Sequence, residues 1–181
     1  MTNPLLPAFA AILAAVAACA PVDTSMRLGP DGRPVPTIYR IGPGEEPRIQ
    51  ARMRDGINAA RARRGLGPVE LNDQLTSAAV AHSRDMARQG RPWHFGADGS
   101  SPLDRANRAG YQGQFLGELI SETYETELET LNAWLEARET RGLLLDPQVN
   151  EIGFGWHQEM GGKLWWTLTT GRAGFGPMAG F

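Results

Sequence analysis

The sequence predicts a mixed α/β domain, and three observations predict it. Apolar residues recur every three to four positions through several segments that open on capping residues and close on glycine, the pattern of helices packed on a core. A later segment alternates strictly, with Ile152, Phe154 and Trp156 separated by Gly153 and Gly155, which is the period of a strand. Gly161-Gly162 then offers a hairpin turn into a second alternating run at 163–170.

The elements follow in order. Residues 5–18 form an apolar stretch ending in Val16-Ala17-Ala18-Cys19. It falls short of the ~20 apolar residues that span a bilayer, and small residues before a cut point suit signal cleavage. Residues 21–47 are punctuated by Pro30, Pro34, Pro36, Gly42, Pro43 and Gly44. Such a stretch buries too little apolar surface to offset its ordering entropy and is expected to be a tether, with an extended reach on the order of 80–90 Å at about 3.3 Å per residue.

Pro47 suits the start of a first helix carrying Ile49, Met53, Ile57 and Ala60, which Gly65 ends. Asn72 caps a second helix running to Gly90, with Leu75, Ala79, His82 and Met86 on its inner face, so His82 is expected in the core. Ser101 before Pro102 opens a short helix closed by Gly110. Thr126 and Glu129 make a capping box for a helix carrying Leu128, Leu131, Trp134 and Leu135. In the closing hairpin Trp165 and Trp166 point to opposite faces.

Composition narrows the function. With 18 basic and 20 acidic residues the formal net charge is −2, and no basic run is long enough for a nucleic-acid partner. Arg52, Arg54, Arg61, Arg63 and Arg64 interleave with Ile49, Met53 and Ile57 at helical spacing, which predicts a solvated helix face. Cys19 is the sole cysteine, so no disulfide closes within the chain.

The order of several short motifs is more specific than any one of them. Ala81-His82-Ser83-Arg84-Asp85-Met86-Ala87 is followed by Trp93-His94-Phe95, Asp98-Gly99-Ser100-Ser101-Pro102-Leu103-Asp104-Arg105, Ala109-Gly110-Tyr111 and Gly117-Glu118. The series resembles the CAP superfamily, or SCP domain, of cysteine-rich secretory proteins, antigen 5 and pathogenesis-related proteins, in its bacterial branch. The resemblance runs over residues 49–175, with Asn58, Arg61, Gly65-Leu66-Gly67-Pro68-Val69 and Leu75 fitting its opening, and Trp134, Ile152-Gly153-Phe154-Gly155 and Trp165-Trp166 fitting its close. It implies a three-layer α/β/α sandwich with a mainly antiparallel central sheet and a groove of two histidines and two acidic residues.

His94 stands at the first groove histidine and Glu118 at the glutamate of a Gly-Glu-Asn motif whose asparagine is here Leu119. Counted from Trp134, Ala137 and Thr140 stand where the bacterial branch often has the serine and histidine of Ser-Pro-Gly-His, so the second imidazole is missing. Catalytic zinc commonly takes three protein ligands. His94 and Glu118 supply two, and Glu136, Glu139 or His157 would have to supply the third. Without a metal, a carboxylate-oriented imidazole can act as a general base, but no nucleophile elbow surrounds Ser83, Ser100, Ser101 or Ser121. A buried hydrogen bond between His94 and Glu118, tying the loop after the second helix to the sheet, would account for the pair without chemistry.

The ending at Cys19 resembles the lipobox of bacterial lipoproteins, in which the cysteine is acylated and becomes residue one of the mature chain; Ala20 in place of an aspartate favours outer-membrane sorting, and plain secretion is the alternative. The organisation expected is a signal peptide at 1–18, a lipidated Cys19 and tether to 47, a CAP-like domain at 48–176 and a tail at 177–181. The function expected is a membrane-anchored envelope module facing the periplasm, whose degenerate groove of His94, Glu118 and Thr140 binds a small apolar or envelope-derived ligand or a protein partner. The alternative is a hydrolase using His94 and Glu118, with or without a divalent metal such as zinc.

Overall fold

The computed structural model describes residues 38–173 and the backbone of two short strands before them. The expected signal segment, Cys19 and the tail at 177–181 lie outside the described residues. The chain divides into two units, 1–37 and 38–181. In the first, β1 (Arg27–Leu28) and β2 (Pro34–Val35) pair antiparallel within the stretch expected to be tether.

The second unit holds the remaining elements: α1 (Glu46–Ala62), β3 (Glu70–Leu71), α2 (Asp73–Gln89), α3 (Pro102–Arg108), β4 (Gln114–Thr123), α4 (Glu127–Glu136), α5 (Arg138–Leu144), β5 (Glu151–Gln158) and β6 (Leu164–Arg172). It takes in residues that the sequence assigns to the tether. Tyr39 donates to Glu127 at 2.9 Å, Ile41 N–H donates to the Gln158 side chain at 3.0 Å, and Gln158 returns a bond to the Tyr39 carbonyl at 2.8 Å. Apolar Tyr39 and Ile41 pack on the main core, which is enough to order a segment broken only later by Gly42, Pro43 and Gly44. Burial and the bond to Glu127 push the Tyr39 phenol up to about 12.

The helix signals act as read. Asn72 caps α2 through the N–H groups of Gln74 and Leu75, and Gly90 closes it in the left-handed region at φ 66°. Ser101 with Asp104 and Thr126 with Glu129 form capping boxes on α3 and α4.

The sheet is ordered β3-β5-β6-β4 and is mixed, not mainly antiparallel. β5 and β4 flank β6 antiparallel, but β3 joins β5 in parallel through Glu70↔Glu151 and Leu71↔Ile152. The parallel edge arises because α1 and the turn after it return the chain along β5 only as far as Asn72, where α2 begins.

Alternation sorts the sheet's two faces. Ile152, Phe154, Trp166 and Leu168 join Ile49, Met53, Ile57, Leu131 and Trp134 from α1 and α4 in the main core, with Phe154 and Trp166 stacked at 5.2 Å. Gly153, Gly155, Thr167 and Thr169 face α2. A Cβ on Gly153 would fall on the Leu75–Thr76 peptide; its absence lets the α2 backbone lie against β5. Ser83 then donates to the Gly155 carbonyl at 3.1 Å and accepts from the Thr167 hydroxyl at 2.8 Å, and Thr169 donates to the Leu75 carbonyl at 3.1 Å.

Two arginines of the expected solvated face are tied inward. Arg61 is 1% exposed and donates to the carbonyls of Gly67, Leu144, Asp146 and Val149 at 2.8 to 3.0 Å. Loop carbonyls that lack strand or helix partners need donors, and a guanidinium supplies five in one plane. Burial holds the Arg61 guanidinium below its usual range. Arg52 pairs with Glu127, which is itself buried.

Candidate functional site

Three segments meet at the site. Gly90 ends α2 in a left-handed turn that sends the chain back over the helix. There Trp93 donates to Gln89 at 2.8 Å and lies under the Arg91 guanidinium at 3.3 Å. This fixes the strap carrying Trp93-His94-Phe95. The turn at 96–100 is held by Asp85, whose carboxylate accepts from Ala97 N–H at 2.7 Å as well as from Arg88 and Gln89. These hydrogen bonds hold the Asp85 carboxyl below the usual range, against its partial burial. Gly96 has no room for a side chain, since a Cβ would meet Ser100 and Asp98. The third segment is β4, which carries Glu118 opposite Thr169 of β6.

His94 and Glu118 come together as expected, with His94 Nδ1 at 2.9 Å from Glu118 Oε1. The carboxylate can only accept there, so the ring carries its proton on Nδ1. The His94 side chain is 49% exposed while that of Glu118 is 1% exposed, and among the described residues His94 Nε2 has no hydrogen-bond partner.

Two further residues complete the cluster. Arg105 Nη2 donates to Glu118 Oε2 at 2.8 Å and to the His94 carbonyl at 2.9 Å, while Nη1 donates to the Ser100 carbonyl at 3.0 Å. His82, fully buried as its place on the inner face of α2 predicts, sets Nε2 3.0 Å from the Trp93 carbonyl and 3.5 Å from Glu118 Oε1. A carbonyl also only accepts, so His82 carries its proton on Nε2, leaving Nδ1 buried without a partner. Desolvation lowers the His82 pKa below the ordinary histidine value despite the nearby Glu118 carboxylate. His82 therefore serves as a neutral donor at pH 7.

The other expected groove residues lie apart. Thr140 donates to the Trp134 carbonyl at 2.6 Å, with the Ala137 carbonyl 3.3 Å away, stitching the break between α4 and α5, and makes no bond to His94 or Glu118. Glu136 and Glu139 are exposed on those helices. His157 sits on β5 opposite Trp165 and lines a depression with Arg84, Arg88 and Glu159. None of the three bonds to the pair.

Zinc does not fit these residues. Both oxygens of Glu118 are engaged, one by Arg105, whose positive charge opposes a cation at that carboxylate. Among the described residues no group of three or more His, Cys, Asp and Glu is placed to hold a metal ion.

A family profile described as CAP, the cysteine-rich secretory protein family, matches residues 54–169. The chain belongs to that family. The CAP domain's uncharacterised relative YkwD of Bacillus subtilis strain 168 is 30% identical over 108 residues, which is 60% of this chain and 41% of that protein. An extracellular SCP-domain protein of Bacillus anthracis shares the fold at a TM-score of 0.66 and 22% identity, over 75% of this chain and 45% of that one. An outer surface protein of Borrelia burgdorferi does so at 0.62 and 18% identity, over 76% of this chain and all of the other. This chain thus spans less than half of the two Bacillus proteins.

Proposed function

We propose that this CAP domain is a binding module of the bacterial envelope, a three-layer sandwich held to a membrane through an acylated Cys19, whose degenerate groove at His94 takes a small apolar or envelope-derived ligand or a protein partner. The observation that carries the reading is the state of Glu118. Arg105 and His94 consume both its oxygens inside the protein, so the carboxylate sets the shape of the strap and is not free to meet a substrate. What faces outward is a half-exposed imidazole between Trp93 and Phe95, whose rings lie 5.6 Å apart, with Phe95 48% exposed. An exposed aromatic ring and a half-exposed imidazole on one strap suit recognition. The extracellular and outer-surface descriptions of two structural relatives are in keeping with an envelope location.

Binding of an apolar fluorescent probe should fall in both His94→Ala and Phe95→Ser; binding indifferent to both would end this reading. Mass spectrometry of the mature N-terminus tests the anchor, and an unmodified Cys19 would reject it.

One observation favours hydrolysis as a second reading. A carboxylate on Nδ1 leaves Nε2 as the basic atom on the open side, the arrangement of a general base. No hydroxyl bonds to His94 among the described residues, so water would be the nucleophile. Ester hydrolysis that disappears in His94→Ala would establish it.

A further inference from the structure

Arg105 has a second side that the His94 cluster does not use. It forms one wall of a cavity of about 510 Å³ between α2, the 96–100 turn and α3, a cavity lined by neither His94 nor Glu118. The floor is small and smooth, with Ala78 and Ala81 on α2 facing Ala97 and Ala109. Asp85, Arg88, Asp98 and Arg108 carry the charge around it.

The donor and acceptor count in this cavity is unbalanced. Asp85 accepts from Arg88, Gln89 and the Ala97 N–H, and Asp98 accepts from the Ser100 N–H at 2.9 Å and from Arg108 at 2.5 Å. Both carboxylates are therefore spent on building the turn. Two of the three arginines are not spent. Arg88 and Arg108 each give one nitrogen to those carboxylates and keep the rest of their donors on exposed side chains. Arg105, at 8% exposure, has its Nε buried with no hydrogen-bond partner at all. That Nε is sealed from solvent, so Arg105 gives the cavity wall its positive charge while Arg88 and Arg108 present the open donors.

We infer that this cavity is a second binding site, taking a small molecule that carries a carboxylate on a compact polar skeleton. The planar fork of a guanidinium matches a carboxylate edge to edge, and the exposed forks of Arg88 and Arg108 line one cavity. The volume exceeds that of a bare anion and accommodates a body of one or two sugar or amino-acid units on the alanine floor. The site does not depend on the reading of His94, because none of its lining residues belongs to the strap between Trp93 and Phe95.

The test is calorimetry on the full chain with glucuronate and acetyl-diglycine, against glucose and acetyl-diglycine amide as uncharged counterparts and inorganic phosphate as a competing oxyanion. Expected is a Kd below about 1 mM for at least one of the two carboxylates and none measurable for its counterpart. The one that binds tells a sugar acid from a peptide terminus. Arg108→Gln at the rim and Ala81→Phe across the floor, both at exposed positions, should each weaken binding about tenfold or more. Absence of binding by both carboxylates, equal binding of the neutral counterparts, or phosphate bound as tightly as the carboxylates would overturn the inference, as would binding that both variants leave intact.

Discussion

Removing the Arg105 charge while keeping its length, as in Arg105→Met, should unfasten the site from the sheet. The Glu118 side chain is 1% exposed, and among the described residues Arg105 is the one arginine or lysine paired with it. Breaking one side of a buried pair costs about 3–5 kcal/mol, because the abandoned charge stays desolvated. The carbonyls of Ser100 and His94 lose their donor in the same step. For a domain of this size about 3 °C of Tm accompanies each kcal/mol, so a fall of roughly 10–15 °C is expected. Glu118→Gln alone should cost less, about 1–3 kcal/mol, because a neutral amide still accepts from the arginine. The double variant should be less damaged than the sum of the singles by more than about 1 kcal/mol. Thermal and urea unfolding measure all three. A loss under about 0.5 kcal/mol for Arg105→Met, or strict additivity in the cycle, would refute the view that this ion pair holds the strap in place.

Three other outcomes follow from the packing. Arg61→Met should cost about 3–5 kcal/mol in urea unfolding, since three loop carbonyls and one at the end of α5 lose a shared buried donor; Arg61→Lys should recover only part of this, having a single nitrogen. Gly153→Ala should destabilise by more than about 2 kcal/mol, because the added methyl falls on the α2 backbone and not on a side chain that can turn away. Stability should fall on acidification below about pH 6.5: with the folded His82 pKa depressed, the unfolded chain binds the extra proton, and the slope should flatten in His82→Gln.

Local rules carried most of the helices. The caps at Asn72, Ser101 and Thr126 and the stop at Gly90 each depend on neighbours within a few residues, and the hairpin around Gly161-Gly162 likewise. β4 gave no such signal, since Glu118 is buried beside Leu119 and the inward positions of that strand are not uniformly apolar. α5 escaped because Ala137 offers no capping side chain and Gly142 interrupts its period. β3 is two residues long and owes its existence to a partner eighty residues away. At the site, His94 and Glu118 were legible by resemblance, and His82 by helical spacing as a core residue. That His82 also touches Glu118 was not legible. Arg105 lies within a motif the sequence displays, but a basic residue on a short helix reads as solvated until the fold sets a carboxylate against it. Arg61 misleads for the same reason. Thr140 stands at the position of an expected ligand, yet its hydroxyl is taken by its own helix junction.

The fastening of Tyr39 and Ile41 to Gln158 decides where tension enters this molecule. A pull arriving along the polypeptide from residue 37 would meet the far end of β5 first, through a handful of contacts strained one after another, and would reach α1 only once those had parted. Residues 38–41 are thus a clasp at the edge of the domain, held by the Gln158 and Glu127 side chains and separate from the arginine-clamped cluster.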